Sequence, residues 1–549
     1  MLRQPDFGAR QSAPLELDGV VPYPADAVQE YRERGYWIGE THWDVLEASA
    51  TRNADTVAVC DERRSLTYRE LRDNALAQAA VLSATGIRRG DRVVVHFPNV
   101  VEFVETTFAL FALGALPIFA LPAHRASEIR YFIEFAEAAA YVTVDKAAGF
   151  DYGRLAGELE NEFAGLRTVV LPLGDAVAAD EHRESYRCEA LPSDVAFLQL
   201  SGGTTGRPKL IPRTHDDYLY SVRESNRICG VTSDTVLLVV LPVSHNFTMS
   251  SPGILGALHV GATVVLAPNP SPDTAFELIE RHRVTMVSVV PPVALAWMNS
   301  SLLQSRDLSS LQTIQVGGAK FSQSAAERIE ADLGARLQQV FGMAEGLVNY
   351  TRLDDEATTV TTTQGRPISE ADEVRIVDDN DRDLPAGHAG HLLTRGPYTI
   401  RGYYRAAEHN AKSFTADGFY RTGDIVTRDE RGYLTVVGRA KDQINRGGEK
   451  IAPEEVENHL LAHDWVHDVS VVGIPDEYLG ERSKAYVVLR TEYAATPPSS
   501  LEIRRFLRER ELAAYKIPDV VEFVTEFPRT SVGKISKNEQ RTPQPEPAR

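Results

Sequence analysis

Short apolar runs rich in aliphatic side chains recur through the first half of the chain. They are VAVC (57–60), RVVVHF (92–97), LPIFAL (116–121), RTVVLPL (167–173), VAFLQL (195–200), TVLLVVLPV (235–243), TVVLAP (263–268) and VTMVSVVPP (284–292). Between these runs lie segments with helical spacing of apolar residues, such as YRELRDNALAQAAVLSAT (68–85). Strand-like runs that alternate with amphipathic helices are typical of parallel sheets covered by helices. The pattern therefore predicts an α/β fold for this part of the chain.

The pattern changes in the last third of the sequence. From Asp378 onward, turn residues crowd together and separate short strand-like runs, which predicts antiparallel strands and a smaller β-barrel-like part. After Gly438 comes a segment of alternating charge, RAKDQINRGGEK (439–450), and then a helix that we expect to begin near Pro453. We therefore predict a large domain over 1–438 and a small, mobile α+β domain over 439–549, with a disordered polar tail at 542–549.

Composition narrows the range of functions. The 549 residues carry 58 Lys plus Arg and 77 Asp plus Glu, a net charge of −19 that disfavours binding to nucleic acid. The apolar stretches 106–124 and 284–303 are interrupted by proline or glycine, so we interpret each as a buried helix and strand and expect no membrane association. Three scattered cysteines and no signal peptide favour a cytoplasmic protein without disulfides.

One loop carries the first chemical signal. SGGTTGRPK (201–209) concentrates glycines, hydroxyls and one lysine directly after the predicted strand 195–200. Glycine allows consecutive backbone N–H groups to point at an anion, so the composition suits phosphate binding. The loop is not a Walker loop, because Gly206 is followed by Arg-Pro-Lys rather than by Lys and then Ser or Thr. On its own it supports an anion-binding hypothesis beside the alternative of an ordinary surface loop.

Further motifs occur in a fixed order behind this loop. They are GGA (317–319), FGMAEG (341–346), YRTGD (420–424), GRAKDQI (438–444) with GGEKIAPEEVE (447–457), and PRTSVGKI (528–535). Together with the loop they resemble the adenylate-forming superfamily of acyl-CoA synthetases, peptide-synthetase adenylation domains and luciferases. The resemblance extends from about residue 66 to Lys534. It implies an enzyme that activates a carboxylic acid with ATP, on a fold with a large N-terminal domain and a small mobile C-terminal domain.

The resemblance implies roles for the residues of these motifs. Glu345 corresponds to a Mg²⁺ ligand, which fits the preference of this hard cation for carboxylate oxygens. Asp424 corresponds to the residue that accepts both ribose hydroxyls. The implied ATP-binding set is Ser201, Gly202, Gly203, Thr204, Thr205, Lys209, Gly318, Ala319, Val340, Phe341, Gly342, Met343, Asp424 and Arg439.

Two lysines correspond to the mobile part of the mechanism. Lys534 matches the lysine that binds the reacting carboxylate during adenylation, and Lys441 occupies the hinge position. Because Lys534 lies on the small domain, it can act only when that domain closes. After rotation at the hinge, GGEKIAP (447–453) would replace it and admit a thiol as the second substrate.

The segment LPVSHNFTMSSPG (241–253) bears on which acid is activated. Amino-acid-activating relatives carry an Asp for the substrate ammonium, whereas this chain has Asn246, which suits an acid without an α-amino group. With QVFGMAEGLVNYTRLDD (339–355), the segment resembles the stand-alone aryl-acid AMP ligases of siderophore assembly. In that resemblance Asn246 would bind the 2-hydroxyl of salicylate or 2,3-dihydroxybenzoate. The implied acid pocket consists of His245, Asn246, Phe247, Ser251, Gly317, Val340 and Val348.

Two pocket positions point to different acids. Ser251 resembles the dihydroxybenzoate enzymes, because its hydroxyl can bind a second phenol, whereas Phe247 replaces the tyrosine usual in those enzymes. Loss of one buried hydrogen bond costs ~1–3 kcal/mol, which is enough to reorder two such similar acids. Both substrates stay open, and salicylate is favoured if Phe247 governs the choice.

The second substrate also has alternatives. One hypothesis is transfer of the aryl group to the phosphopantetheine thiol of an aryl carrier protein. Another is an aryl-CoA ligase that uses free coenzyme A, since the first half-reaction is the same. A third is an inactive binding protein of the same fold; it predicts loss of Lys534, Glu345 or Asp424, and all three are present.

Overall fold

Two helix-covered sheets form most of the chain in the computed structural model, which describes residues 13–174, 188, 190–201, 208–446, 449–476, 478–494, 497–510, 512, 514–529 and 535–541. The strands of this first part are β1 (Val57–Cys60), β2 (Ser65–Thr67), β3 (Arg92–His96), β4 (Leu116–Ala120), β5 (Ala140–Val144), β6 (Lys146–Ala147), β7 (Phe150–Asp151), β8 (Arg167–Leu171), β9 (Val195–Leu200), β10 (Leu210–Thr214), β11 (Val236–Val239), β12 (Thr263–Leu266), β13 (Met286–Val289), β14 (Thr313–Gly317), β15 (Arg336–Met343), β16 (Gly346–Tyr350) and β17 (Arg366–Pro367). The helices are α1 (Ala25–Glu33), α2 (His42–Arg52), α3 (Tyr68–Ala84), α4 (Val101–Leu113), α5 (Ala126–Ala136), α6 (Tyr152–Glu162), α7 (His215–Cys229), α8 (Asn246–Ser250), α9 (Gly253–Val260), α10 (Pro272–His282), α11 (Pro291–Met298), α12 (Gln323–Leu333) and α13 (Ala357–Thr362).

Both large sheets are mainly parallel, as the alternation of strands and helices predicts. One has the order β17-β16-β15-β14-β13-β11-β12-β1-β2, with its antiparallel pairs at the two edges. The other has the order β10-β9-β4-β3-β5-β8, in which only the β9–β10 pair is antiparallel. The predicted apolar runs are strands of these sheets; VAFLQL, for example, is β9. The predicted fold class is confirmed for this part of the chain.

Helix α4 shows why a long apolar stretch need not span a membrane. Every one of its residues is buried, and the helix ends where Gly114 adopts a left-handed conformation with φ of 68°. The chain then turns into the buried strand β4, so the stretch 106–124 is a helix followed by a strand. Among the residues described, no helix combines the length and the apolar character needed to cross a membrane.

A smaller antiparallel sheet follows the two large ones. It consists of β18 (Glu373–Val377), β19 (Gly390–Arg395), β20 (Tyr420–Arg428) and β21 (Leu434–Arg439), with α14 (Ala407–Ser413) before β20. Its core contains Ile376, Leu392, Val426 and Leu434, which cluster with Leu347 of β16. The small sheet is therefore attached to the strand that follows the FGMAEG motif.

The last part of the chain is an α+β unit, as predicted. Its strands are β22 (Ile444–Arg446), β23 (Glu449–Ile451), β24 (Val466–Asp476), β25 (Gly480–Leu489) and β26 (Val520–Phe523), and its helices are α15 (Pro453–Leu461), α16 (Thr491–Ala494), α17 (Ser500–Glu509) and α18 (Lys537–Arg541). Pro453 is the first residue of α15, where its missing N–H costs no hydrogen bond. Strand β21 ends at Arg439 and β22 begins at Ile444. The domain boundary at 438/439 and the mobility of the small part stay predictions, and the tail 542–549 lies outside the described residues.

Candidate active site

The base of the glycine-rich loop is closed by two hydrogen bonds. Strands β9 and β10 form an antiparallel pair, and beyond it the Ser201 N–H donates to the Lys209 carbonyl at 2.9 Å. The Lys209 N–H in turn donates to Ser201 Oγ at 2.9 Å. Ser201 and Lys209 thus face each other where the loop begins and ends. The predicted phosphate contacts of Gly202, Gly203, Thr204 and Thr205 lie outside the described residues.

Glu345 sits in the tight turn between β15 and β16, held by backbone and side-chain contacts. The Ile400 N–H donates to its carbonyl at 2.9 Å, and the Tyr403 hydroxyl donates to Oε1 at 2.7 Å. The Tyr403 and Tyr420 hydroxyls lie 2.8 Å apart. Burial, reinforced by the charge of Glu345, raises the pKa of both tyrosines, so they remain neutral hydrogen-bonding groups.

Lys209 approaches the same cluster from the loop. Its Nζ lies 5.8 Å from the centroid of the Tyr403 ring, on whose hydroxyl Glu345 depends. A cation and a carboxylate therefore flank one tyrosine. A carboxylate beside a lysine suits a metal-bound polyphosphate, because the metal takes oxygen ligands and the lysine neutralises the remaining charge.

Asp424 is buried in β20 and is paired with Arg439 of the neighbouring strand. The two residues are opposite each other in the β20–β21 register, and Arg439 Nε lies 2.9 Å from Asp424 Oδ1. Asp424 raises the pKa of the Arg439 guanidinium, which outweighs the effect of burial. The structure thus brings together the two residues that sequence comparison assigns to the ribose.

The ends of β14 and β15 form a flat wall. These strands are parallel neighbours, with Gly317 opposite Val340. A Cβ atom on Gly317 would lie 2.9 Å from the Val340 carbonyl oxygen and 3.1 Å from Phe247 Cζ. The absence of a side chain at this position is therefore what admits the Phe247 ring. Gly318 and Ala319 follow on an exposed bend, and Phe341 and Gly342 continue β15.

The proposed acid-selecting residues lie around helix α8. His245 precedes the helix, and its Nδ1 accepts a hydrogen bond from the Phe247 N–H at 3.2 Å. Phe247 and Val340 are buried against Gly317, and the buried Val348 is paired with Gly342 across the β15–β16 hairpin. The hydroxyl of the buried Ser251 interacts with the phenol of Tyr350, a residue of β16. The geometry gives a narrow apolar space with polar groups on the α8 side.

Two side chains that sequence reasoning missed support this region. The Tyr218 hydroxyl donates to Asn246 Oδ1 at 2.9 Å. Arg213, which is buried, forms an ion pair with Asp217 at 2.8 Å and donates to the Ala344 carbonyl at 2.7 Å. Tyr403 was missed as well, although it belongs to a GYY segment (402–404) before the YRTGD motif. None of the three forms a motif that identifies its partner, because each contact joins segments distant in the sequence.

The predicted hinge and catalytic lysine lie at the small sheet and beyond it. Lys441 is exposed in a single helical turn, Ala440–Asp442, between β21 and β22. Lys534 lies outside the described residues. On either side of it, Arg529 and Ile535 form an antiparallel bridge.

The fold and the clustered site residues define an adenylate-forming enzyme. The chain belongs to the AMP-binding enzyme family: the family model matches residues 46–404, and the model of the AMP-binding enzyme C-terminal domain matches 455–534. It is 56% identical to the 2,3-dihydroxybenzoate-AMP ligase of Bacillus subtilis (strain 168), over 96% of this chain and 97% of that protein. It is 44% identical to the salicyl-AMP ligase / salicyl-S-ArCP synthetase of Mycobacterium tuberculosis, over 96% and 95%. The apo structure of Mycobacterium smegmatis MbtA superposes with a TM-score of 0.71 at 41% identity, covering 95% of this chain and 98% of that one.

Proposed function

We propose that this chain converts a 2-hydroxyaryl acid and ATP into the aryl-AMP and pyrophosphate. It then transfers the aryl group to the phosphopantetheine thiol of an aryl carrier protein in siderophore biosynthesis. The acid is salicylate or 2,3-dihydroxybenzoate, the acids that appear in the names of the similar ligases.

The observation that carries this proposal is a neutral amide beside an apolar slot. Asn246 begins α8, and the next residue, Phe247, packs its ring against Gly317 and Val340. A flat aromatic acid matches the width of such a slot, and an amide can bind a phenol hydroxyl. An amide cannot neutralise an ammonium group, so amino acids are disfavoured at this position.

The first half-reaction joins two anions, so the site must supply positive charge. One carboxylate oxygen attacks the α-phosphorus, the bond from that phosphorus to the oxygen bridging to the β-phosphate breaks, and pyrophosphate leaves. Lys209, at the end of the glycine-rich loop, and Lys534, on the small domain, would counter the charge that develops. Asp424 and Arg439 would hold the ribose.

Glu345 is the residue that would hold Mg²⁺. The fit is chemical: Glu345 offers a carboxylate whose Oε1 is already oriented by the Tyr403 hydroxyl. A single protein carboxylate together with substrate phosphates is a common Mg²⁺ environment. When bound, the ion would neutralise phosphate charge. Tyr403 and Tyr420 would keep the carboxylate in one orientation.

The second half-reaction needs a different arrangement of the small domain. The thiol sulfur attacks the carbonyl carbon of the aryl-AMP, the acyl–phosphate bond breaks, AMP leaves, and the thiol proton passes to solvent. Rotation near Lys441 would withdraw Lys534 and bring 447–453 to the site. Adenylation and thioester formation would thus belong to two positions of one domain.

A panel of benzoates tests the first half-reaction. In acid-dependent exchange of pyrophosphate into ATP, we expect high kcat/KM for salicylate and 2,3-dihydroxybenzoate. Benzoate, 3-hydroxybenzoate and 4-hydroxybenzoate should be poor substrates, because they leave the Asn246 amide unpaired. Equal activity with benzoate and salicylate would contradict the proposed role of the 2-hydroxyl.

A comparison of acceptors tests the second half-reaction. The preferred acid is supplied with ATP and with either a phosphopantetheinylated aryl carrier protein or free coenzyme A, and thioester formation is measured. We expect faster transfer to the carrier protein. Exclusive use of coenzyme A would replace the carrier-protein proposal with an aryl-CoA ligase.

A further inference from the structure

The amide of Asn246 has two chemically different ends, and the structure orients them. Oδ1 accepts a hydrogen bond from the Tyr218 hydroxyl at 2.9 Å. Within the part of the chain that the structure describes, Asn246 Nδ2 has no hydrogen-bond partner, and the residue is half-buried. The acceptor end is therefore occupied by the protein, while the donor end is available.

Tyr218 is itself held rigidly. It is fully buried on α7, with its ring edge-to-face with Phe197 at a centroid distance of 4.7 Å. On its other side the Arg213 guanidinium lies 4.6 Å from the ring centroid. Burial raises the pKa of Tyr218 to about 12, so the phenol stays protonated and remains a donor at physiological pH. A neutral hydroxyl on a fixed ring can hold an amide in one of its two orientations.

We propose that Tyr218 is a specificity-determining positioning residue: by binding Asn246 Oδ1, it presents the Asn246 amide N–H to the 2-hydroxyl oxygen of the aryl acid. The inference rests on the proposed function and adds to it the residue that sets the polarity of the pocket. Without Tyr218 the amide can rotate and present its oxygen instead. The binding of the acid then has to include the cost of fixing that rotation.

The same positioning extends to the Glu345 turn. Arg213, which lies over the Tyr218 ring, also donates to the Ala344 carbonyl and to the Tyr398 carbonyl. One buried cation thus contacts both the support of Asn246 and the residue next to Glu345. Removal of the Tyr218 hydroxyl alone leaves this arginine network intact, so Tyr218→Phe perturbs the amide selectively.

The test measures the ratio of kcat/KM for salicylate to that for benzoate in pyrophosphate exchange. For Tyr218→Phe we expect this ratio to fall about tenfold, the usual scale of one oriented hydrogen bond. The whole loss should be on salicylate, with benzoate unchanged. A merely structural role would lower both acids equally.

Tyr220→Phe is the matched control. Tyr220 lies on the same helix, is buried and loses a hydrogen bond to Ser369 Oγ of 2.6 Å, but it does not contact α8 through that hydroxyl. Its ratio should equal that of the wild type. In an Asn246→Ala background, Tyr218→Phe should cause no further change in the ratio, because the amide that it orients is gone.

The outcomes separate the inference from the proposed function. A wild-type enzyme that does not prefer salicylate to benzoate overturns both. If the wild type prefers salicylate and Asn246→Ala loses that preference, an unchanged ratio in Tyr218→Phe overturns only the inference. An equal loss on both acids in Tyr218→Phe does the same.

Discussion

Gly317→Ala places one methyl group at the point where the acid pocket is narrowest. The added Cβ would lie 2.9 Å from both the carbonyl oxygen and Cβ of Val340, and 3.1 Å from Phe247 Cζ. Ordinary contacts between carbon atoms are about 3.5–4.0 Å, so all three distances are too short by roughly half an ångström. Val340 belongs to the neighbouring parallel strand and cannot shift without disturbing the sheet. The Phe247 ring has to move instead, and it moves into the proposed acid pocket.

The size of the effect follows from the cost of overpacking. Extra methyl groups in a packed core cost about 1–3 kcal/mol. If this cost falls on acid binding, kcat/KM for salicylate should drop between about 5-fold and about 150-fold, at tenfold per 1.4 kcal/mol. The KM for ATP should change much less, because the displaced ring belongs to the acid side.

Pyrophosphate exchange with each substrate varied in turn measures both constants, and thermal unfolding reports whether the fold survives. Gly157→Ala is the control: Gly157 lies in α6, and a Cβ there meets nothing within 4 Å. That variant should keep wild-type kinetics and gain slightly in stability, because alanine favours helix over glycine. Unchanged acid kinetics in Gly317→Ala, or equal damage to ATP and acid, would refute the geometry described for the pocket.

Three further predictions concern specificity, mechanism and stability. Phe247→Tyr should raise kcat/KM for 2,3-dihydroxybenzoate relative to salicylate by about tenfold, because the new hydroxyl can bind the 3-hydroxyl; an unchanged ratio removes Phe247 from the specificity argument. Lys534→Ala should abolish pyrophosphate exchange but leave transfer from a supplied aryl-AMP mostly intact, and equal loss of both half-reactions argues against the division between two domain positions. Burial raises the pKa of the Asp372 carboxyl to about 7, so the folded state binds this proton more tightly than the unfolded state, and stability falls as pH rises between about 4 and 7. Asp372→Asn should therefore raise the midpoint of thermal unfolding more at pH 8 than at pH 5, and an equal shift at both pH values contradicts this.

The fold was predictable because its signals are local. The buried strands of a parallel sheet are continuous apolar runs, so β9 and β12 could be read from VAFLQL and TVVLAP. Pro453 at the first position of α15 is likewise a local signal, since proline is tolerated there. Motif order led to the family, which the comparisons then confirmed.

The support of the site was not predictable, because it depends on contacts between distant segments. The Tyr403 hydroxyl reaches Glu345 across 58 positions of the sequence, and Tyr218 reaches Asn246 across 28. No spacing rule links such pairs. Tyr218 also sits on a helix whose buried face includes several other aromatic and polar residues, so its pattern indicates only burial. The roles predicted for Lys534 and the glycine-rich loop remain predictions.

Strand β15 has a consequence for how the two substrates meet. Val340 and Phe341 are consecutive residues, and consecutive side chains of a strand point to opposite faces. Under the proposed function, one faces the acid and the other the nucleotide, so a single backbone about one residue thick separates the two compartments. Their relative position is then a property of covalent geometry, which gives a high effective concentration of one reactant beside the other. Inserting or deleting one residue in this strand would exchange the two faces, and the chain would lose both compartments at once.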